Sequence, residues 1–271
     1  MTVQRTDWVT PHLVRVVLGG PGIESFQDNG FTDKYVKLMF LRRGLSFPSP
    51  PLSLEEIRAS WPRADWPITR TYTVRWFDPA AGELAIDFVY HGDEGIAAPW
   101  AAGALPGDEI VVRGPGGAYA PRSDVDWHLF VGDESALPAV CAGLEALPAG
   151  AVASVFALVA DDAEAVKLTS AAEVDVTWLY RSSFESPASA DEALVAAVRS
   201  ASRSGSVQAF VHGEAGFVAD LRRHLSRERG VPSDLLSISG YWRRGKNEDG
   251  WQAEKAETRR LEEEAGSARN S

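Results

Sequence analysis

The rhythm of chain breaks changes near Asp126, and that change limits the chain to two different kinds of sheet. Before it, short apolar segments are punctuated by glycine and proline. His12 to Leu18, Tyr35 to Leu41, Arg70 to Phe77, Gly82 to Tyr90 and Ile110 to Arg113 read as strands. The breakers Gly19-Gly20-Pro21-Gly22, Asp78-Pro79 and Gly114-Pro115-Gly116-Gly117 end three of them. Short strands separated in this way predict a small antiparallel barrel. The Pro- and Trp-rich stretch from Ser46 to Pro67 is an excursion between strands.

After Asp126 strands alternate with helices. Trp127 to Val131, Val152 to Ala160, Val174 to Leu179, Val207 to His212 and Leu235 to Ser239 read as strands. Ser135 to Leu147, Asp191 to Ala201 and Ala215 to Arg229 read as helices. That alternation predicts a parallel sheet covered on both faces, with ligands at the carboxyl ends of its strands. The expected division is a barrel domain over 1–125, a nucleotide-binding-like α/β domain over 126–253, and a charged tail over 254–271, read as an exposed helix without chemistry of its own.

Composition excludes several function classes. Lys and Arg number 27 against 38 Asp and Glu, a formal charge of −11. Such a chain is repelled by nucleic acid and by anionic membranes, so an anionic ligand needs a local cationic pocket. The one cysteine, Cys141, sits in an apolar helical stretch and reads as a small buried thiol. No segment approaches the ~20 apolar residues of a membrane span, and the first residues lack the apolar run of a signal peptide, so a cytoplasmic location is expected. The five His (12, 91, 128, 212, 224) lack metal-ligand spacing, and no phosphate-binding P-loop, zinc-protease helix or nucleophile elbow occurs. No resident metal is expected, no acid–base constellation is evident, and nothing demands more than a monomer.

Four segments carry chemistry. In Arg70-Thr71-Tyr72-Thr73-Val74-Arg75, Arg70 and Tyr72 share one strand face. A guanidinium binds phosphate through two parallel hydrogen bonds, and a tyrosine ring can lie against a flat aromatic ligand. Asp87 to Trp100 runs from a strand through a glycine-bounded turn into a small-residue helix, which allows close backbone approach. Asp93 and Glu94 oppose an anion there unless they point to solvent. Gly132-Asp133-Glu134-Ser135-Ala136-Leu137-Pro138-Ala139 follows the first strand of the second half, and Ser135 is the expected helix cap. Gly240-Tyr241-Trp242-Arg243-Arg244-Gly245-Lys246 brings two aromatics and three cations off the last strand together. Glu248 and Asp249 follow at once and can neutralise them.

In this order and spacing the four segments resemble the siderophore-interacting proteins, a ferric-siderophore reductase branch of the ferredoxin-reductase-like superfamily. The resemblance spans nearly the whole chain. It implies an FAD-carrying barrel of the six-stranded type and an NADH- or NADPH-facing α/β domain. It implies flavin contacts at Arg70, Tyr72, Thr73 and Arg75, and at Asp87, Phe88, His91, Gly92, Gly95, Ile96, Ala97, Ala98 and Trp100. At the second sheet it implies cofactor contacts from Asp133, Ser135 and Ala136. Tyr241 or Trp242 covers the flavin. Arg243, Arg244 and Lys246 are the expected contacts of an anionic ferric siderophore, and Lys37, in Tyr35-Val36-Lys37-Leu38, is a further one. Arg181 is a candidate for the 2′-phosphate of NADPH, with NADH equally open. Gly116 departs from the pattern, because many relatives carry a basic residue there.

The activity implied is electron transfer from NAD(P)H through FAD to Fe(III), with the iron as substrate and with no side chain in a catalytic role, since the flavin carries the redox chemistry. Three alternatives stand beside it: electron transfer to a small protein carrier, a general flavin reductase, and a non-catalytic siderophore-binding module.

Overall fold

The computed structural model describes residues 1–42, 44–47, 53–201, 203–248, 250–251, 253–255, 257 and 260. Its first sheet has six antiparallel strands in the order β1-β2-β5-β4-β3-β6. These are β1 (Thr2–Thr10), β2 (Leu13–Gly19), β3 (Tyr35–Phe40), β4 (Ile68–Asp78), β5 (Glu83–Val89) and β6 (Val111–Gly116). The sheet curls so that β1 meets the chain entering β6. Val3 donates to the Asp108 carbonyl at 2.8 Å, Gly107 to that of Val3 at 2.8 Å, and Ile110 to that of Met1 at 3.0 Å. Closure leaves one apolar interior, filled by Val14, Val16, Leu38, Val74, Leu84, Ile86 and Phe88.

Two short helices decorate the barrel. Helix α1 (Leu54–Ser60) lies in the excursion before β4 and starts at a capping box formed by Ser53 and Glu56. Residues 48–52 of that excursion lie outside the described residues. Helix α2 (Ala97–Gly103) follows the turn after β5 and buries Ala97, Ala98 and Ala101 against the barrel.

The second sheet is wholly parallel, in the order β11-β10-β7-β8-β9. Its strands are β7 (Trp127–Asp133), β8 (Val152–Val159), β9 (Glu173–Tyr180), β10 (Val207–Glu214) and β11 (Leu236–Trp242). Helices α3 (Leu137–Glu145), α4 (Pro187–Ser200) and α5 (Ala215–Arg223) pack on it, and every residue of β7 and β10 is buried. Near-continuous burial on both faces explains why these strands read as apolar runs rather than alternations. Strand order reverses between β7 and β10, which sets a crevice at their carboxyl ends.

The barrel and α/β architecture match the expectation, with two differences. β1 is a full strand that the sequence pattern does not predict. Of its nine residues only Val3 and Thr10 are buried, so it shows no alternation to read. The segment after β11 is helical at Glu248, Gly250, Trp251 and 253–255, and it packs on the sheet. Trp251 is 7% exposed and packs against Gly240, and Lys255 Nζ donates to Ser239 Oγ (3.2 Å) and the Gly240 carbonyl (3.1 Å). The start of the expected tail is therefore docked structure. Residues 261–271 lie outside the described residues.

Candidate flavin site between the barrel and the parallel sheet

Strand β4 sends Tyr72 and Val74 to the barrel side and Thr71 and Thr73 outward. Val74 is core. Tyr72, two residues nearer the barrel mouth, sets its ring 4.3 Å from that of Phe88, and Phe88 in turn lies 5.9 Å from Trp100. This apolar seat pushes the Tyr72 hydroxyl well above its ordinary range, chiefly by burial, so it stays protonated. Arg70 stands at the mouth on the same face, its Nη1 donating to the Thr69 carbonyl at 2.9 Å and its Nε 3.5 Å from a Glu248 carboxylate oxygen.

After β5 the backbone turns through Gly92 and Gly95 with φ of 98° and 83°, a region that side chains rarely adopt. A Cβ at either glycine would meet nothing within 4 Å, so this loop borders open space. Asp93 and Glu94 are exposed, with Asp93 accepting from the Tyr90 hydroxyl at 3.0 Å. They point to solvent, as an anion at this loop requires. His91 is also exposed, Ile96 half-buried, and Ala97 and Ala98 buried beneath the turn.

Arg75, Asp87 and Phe88 have structural partners of their own. Arg75 forms a two-pronged ion pair with Glu145 of α3, at 2.8 and 2.5 Å. Asp87 gives both oxygens to Arg15, at 2.6 and 2.7 Å. Phe88 is fully buried, its ring 4.3 Å from that of Tyr72.

The carboxyl ends of the parallel strands close the other side of the site. Asp133 is almost wholly buried. Its Oδ1 accepts from the Ser135 amide (3.0 Å) and hydroxyl (2.5 Å), and its Oδ2 from the Glu214 amide (2.8 Å) and Trp242 Nε1 (2.8 Å). One carboxylate thus ties together the ends of β7, β10 and β11. Ser135 is not the expected helix cap. Ala136 holds that position without a side-chain bond, because the Ser135 hydroxyl is spent on Asp133. Glu214 accepts from the Gly216 amide and, at 3.2 Å, from the Arg244 amide. The Arg181 Nη1 is held by both oxygens of Glu134, at 2.5 and 2.8 Å. Burial raises the Glu134 carboxyl above its usual range despite that partner.

The two aromatics of the last segment separate in role. The Trp242 indole faces into the second sheet, toward Asp133. Tyr241 faces the barrel, its hydroxyl beside the Thr73 side chain, and its ring lies 4.8 Å from that of His212. His212 is packed 4.0 Å from Phe210, with Nε2 3.0 Å from Ser237 Oγ, and burial drives its pKa down to about 3. It is a neutral prop for Tyr241.

Lys37 is exposed on β3, directly opposite Thr71 on one side and Arg113 of β6 on the other. Sequence reasoning missed Arg113, because only the strand register brings it beside Lys37. Like charges directly opposite are unfavourable, so the pair favours a nearby anion. At Gly116 a Cβ would run into the Tyr35 ring. The space of the absent basic side chain is filled by a tyrosine that is 39% exposed.

Arg243 and Lys246 share Glu254, at 2.9 and 2.5 Å, and Arg244 pairs with Asp191 at 2.9 Å. Cys141 is buried, as expected, and its thiol is pushed up to about 11 by burial. Among the described residues no cluster of metal-ligating side chains occurs.

A barrel whose mouth faces the switch point of a parallel sheet is the arrangement of the ferredoxin reductases, and the reductase of carbazole 1,9a-dioxygenase shares it (16% identity, TM-score 0.57, 89% of this chain and 68% of that one). Residues 2–119 match the family model of the siderophore-interacting FAD-binding domain, and residues 125–245 that of the siderophore-interacting protein. The chain belongs to the siderophore-interacting protein family. It is 44% identical to an uncharacterised protein of Mycobacterium tuberculosis over 94% of each chain. It is 32% identical to the ferric vibriobactin reductase ViuB of Vibrio cholerae, covering 93% of this chain and 91% of that one. An NADPH-dependent ferric-chelate reductase of Escherichia coli is 39% identical over 54% of this chain and 56% of its own. The siderophore-interacting protein SipS from Aeromonas hydrophila has a TM-score of 0.78 at 30% identity, over 95% and 96% of the two chains.

Proposed function

We propose that the chain is an FAD-dependent reductase of ferric siderophores that draws electrons from NADH or NADPH and releases Fe(II). The observation that carries this reading is the arrangement along β4: Arg70 and Tyr72 on one face, Thr73 beside Tyr241 of the parallel sheet on the other, and the open Gly92–Gly95 loop after the neighbouring β5. The residues fit a flavin. A cation and an aromatic share one strand face, and open space borders a loop of left-handed glycines.

In this reading bound FAD supplies the conversion of a two-electron hydride donor into single electrons for Fe(III). Arg70 holds its phosphates. Tyr72, kept protonated by burial, flanks the ring, with Thr73 beside it. Of the two aromatics, Tyr241 is the one that faces the barrel and excludes water from the ring. Asp133 acts by position, holding three strand ends in register at the crevice where the nicotinamide nucleotide enters. Lys37, Arg113, Arg243, Arg244 and Lys246 supply the cationic surroundings of the iron chelate, which is substrate and not a resident metal. The barrel (1–125) is then the flavin domain and 126–253 the donor domain. No helix among the described residues is long and apolar enough to cross a membrane. The reading takes the protein as a cytoplasmic monomer.

Support comes from the ferric-reductase names of relatives in Vibrio cholerae and Escherichia coli. Titration of the apoprotein with FAD, followed by flavin fluorescence, tests the reading. Saturable one-to-one quenching that is weakened in R70A supports it. No binding at micromolar FAD sinks it.

A further inference from the structure

The cations that follow β11 are not free charges, and the same helix restrains two of them. Trp251 anchors that helix under Gly240. From this anchor Glu254 reaches back with one oxygen on Arg243 (2.9 Å) and the other on Lys246 (2.5 Å). The adjoining Lys246 ammonium holds the Glu254 carboxyl below its usual range, so it is ionised at neutral pH. Arg243 also lies over the Trp251 ring, 5.9 Å from its centre, which fixes the guanidinium where Glu254 meets it. Arg244 has its own carboxylate in Asp191. Among the described residues Lys37 and Arg113 pair with no carboxylate.

A docked helix that places one carboxylate between two cations lowers the local positive potential without removing their hydrogen-bond donors. Charges at the edge of a site act mainly on selectivity and on salt dependence. The chain as a whole, at −11, adds long-range repulsion of anions.

We propose that Glu254 is a selectivity residue: by neutralising Arg243 and Lys246 it makes the site favour ferric chelates of low net charge, of the neutral trihydroxamate kind, over multiply anionic ones of the triscatecholate kind. This rests on the reading of the site as one for ferric siderophores.

The test is equilibrium binding to the FAD-loaded protein without a nicotinamide donor, read by quenching of tryptophan fluorescence. The probes are neutral ferrichrome and trianionic ferric enterobactin. Wild type binds ferrichrome more tightly. E254Q tightens enterobactin binding at least about threefold and changes ferrichrome binding less than about twofold. E257Q, farther along the same helix and paired with Arg260, changes neither. Tighter wild-type binding of the trianion, or an E254Q effect equal on both probes or absent, overturns the proposal. Should E254Q fail to fold, the salt dependence of K37Q/R113Q, which lacks the two unpaired cations, decides. A nearly flat response of its enterobactin affinity between low and physiological salt agrees with neutralised Arg243 and Lys246, and a steep fall contradicts it. A protein that takes up FAD but binds neither chelate refutes the siderophore reading itself.

Discussion

A guanidinium at the lip of an apolar seat is worth more than one in open water, because each hydrogen bond it makes to phosphate is charge-assisted and partly desolvated. Arg70 stands at such a lip, above Tyr72 and Phe88. R70A should weaken FAD binding by about 30-fold or more, and R70K should recover part of it, since lysine keeps the charge but not the two-pronged geometry. A flavin titration measures both, and unchanged affinity in R70A would remove Arg70 from the site. His212 makes a separate prediction. Burial lowers its pKa from 6.5 to about 3 in the folded protein. Between those values the unfolded chain binds the proton and the folded chain does not. The stability this group contributes is complete above pH 6.5 and is lost as pH falls toward 3. H212Q should flatten the pH dependence of the urea midpoint by about one proton in that window. An equal slope in wild type and variant would contradict this. Residue types at the mouth were legible because Arg70, Tyr72 and Thr73 lie within one strand. The partners of Asp133 were not, since Trp242 comes from 109 positions away.

Elements were legible where burial imposes a rhythm. β7, β8 and β10 are sealed on both faces or nearly so, and their apolar runs announce them. β1 closes the barrel with few buried side chains and so leaves no rhythm to read. The helix after β11 has a similar weakness. Its sequence is mostly charge, and among the described residues its docking rests on the buried indole of Trp251, on hydrogen bonds from Lys255 to β11 and on ion pairs to the turn after it. W251A should therefore release this helix. The loss of a buried Trp costs ~3 kcal/mol or more where its surroundings cannot collapse, and here the cost falls on one segment rather than on the global transition. Limited proteolysis should cut the variant after residue 245 much faster than wild type, with the main unfolding midpoint little changed. A midpoint shift without new cleavage would contradict local docking.

Across the whole molecule, the relation of barrel to parallel sheet depends on contacts between residues far apart in sequence. Arg75 of β4 grips Glu145 of α3, and the hairpin after β1 lays Thr10 and His12 on the buried carboxylate of Glu164, at 2.5 and 2.6 Å. Gln208 of β10 secures the linker by accepting from the Arg122 amide at 2.8 Å and donating to the Ala120 carbonyl at 3.0 Å. None of these pairs is visible in a linear pattern. A double-mutant cycle on R75A and E145A should give a coupling of about 1 kcal/mol, because the Arg75 side chain is mostly shielded from water while Glu145 is partly exposed. Additive effects would mean that the two halves are held by other contacts.

The proposed function has electrons cross this mouth from a nicotinamide to iron. Its most direct test is an anaerobic absorption experiment on the FAD-loaded protein, first with NADH or NADPH and then with one equivalent of a ferric siderophore in the presence of an Fe(II) trap. The bound flavin bands should bleach with nicotinamide and return on addition of the chelate, with trapped Fe(II) appearing in proportion. Flavin that stays oxidised with both nucleotides, or that stays reduced after the iron complex is added, would contradict it.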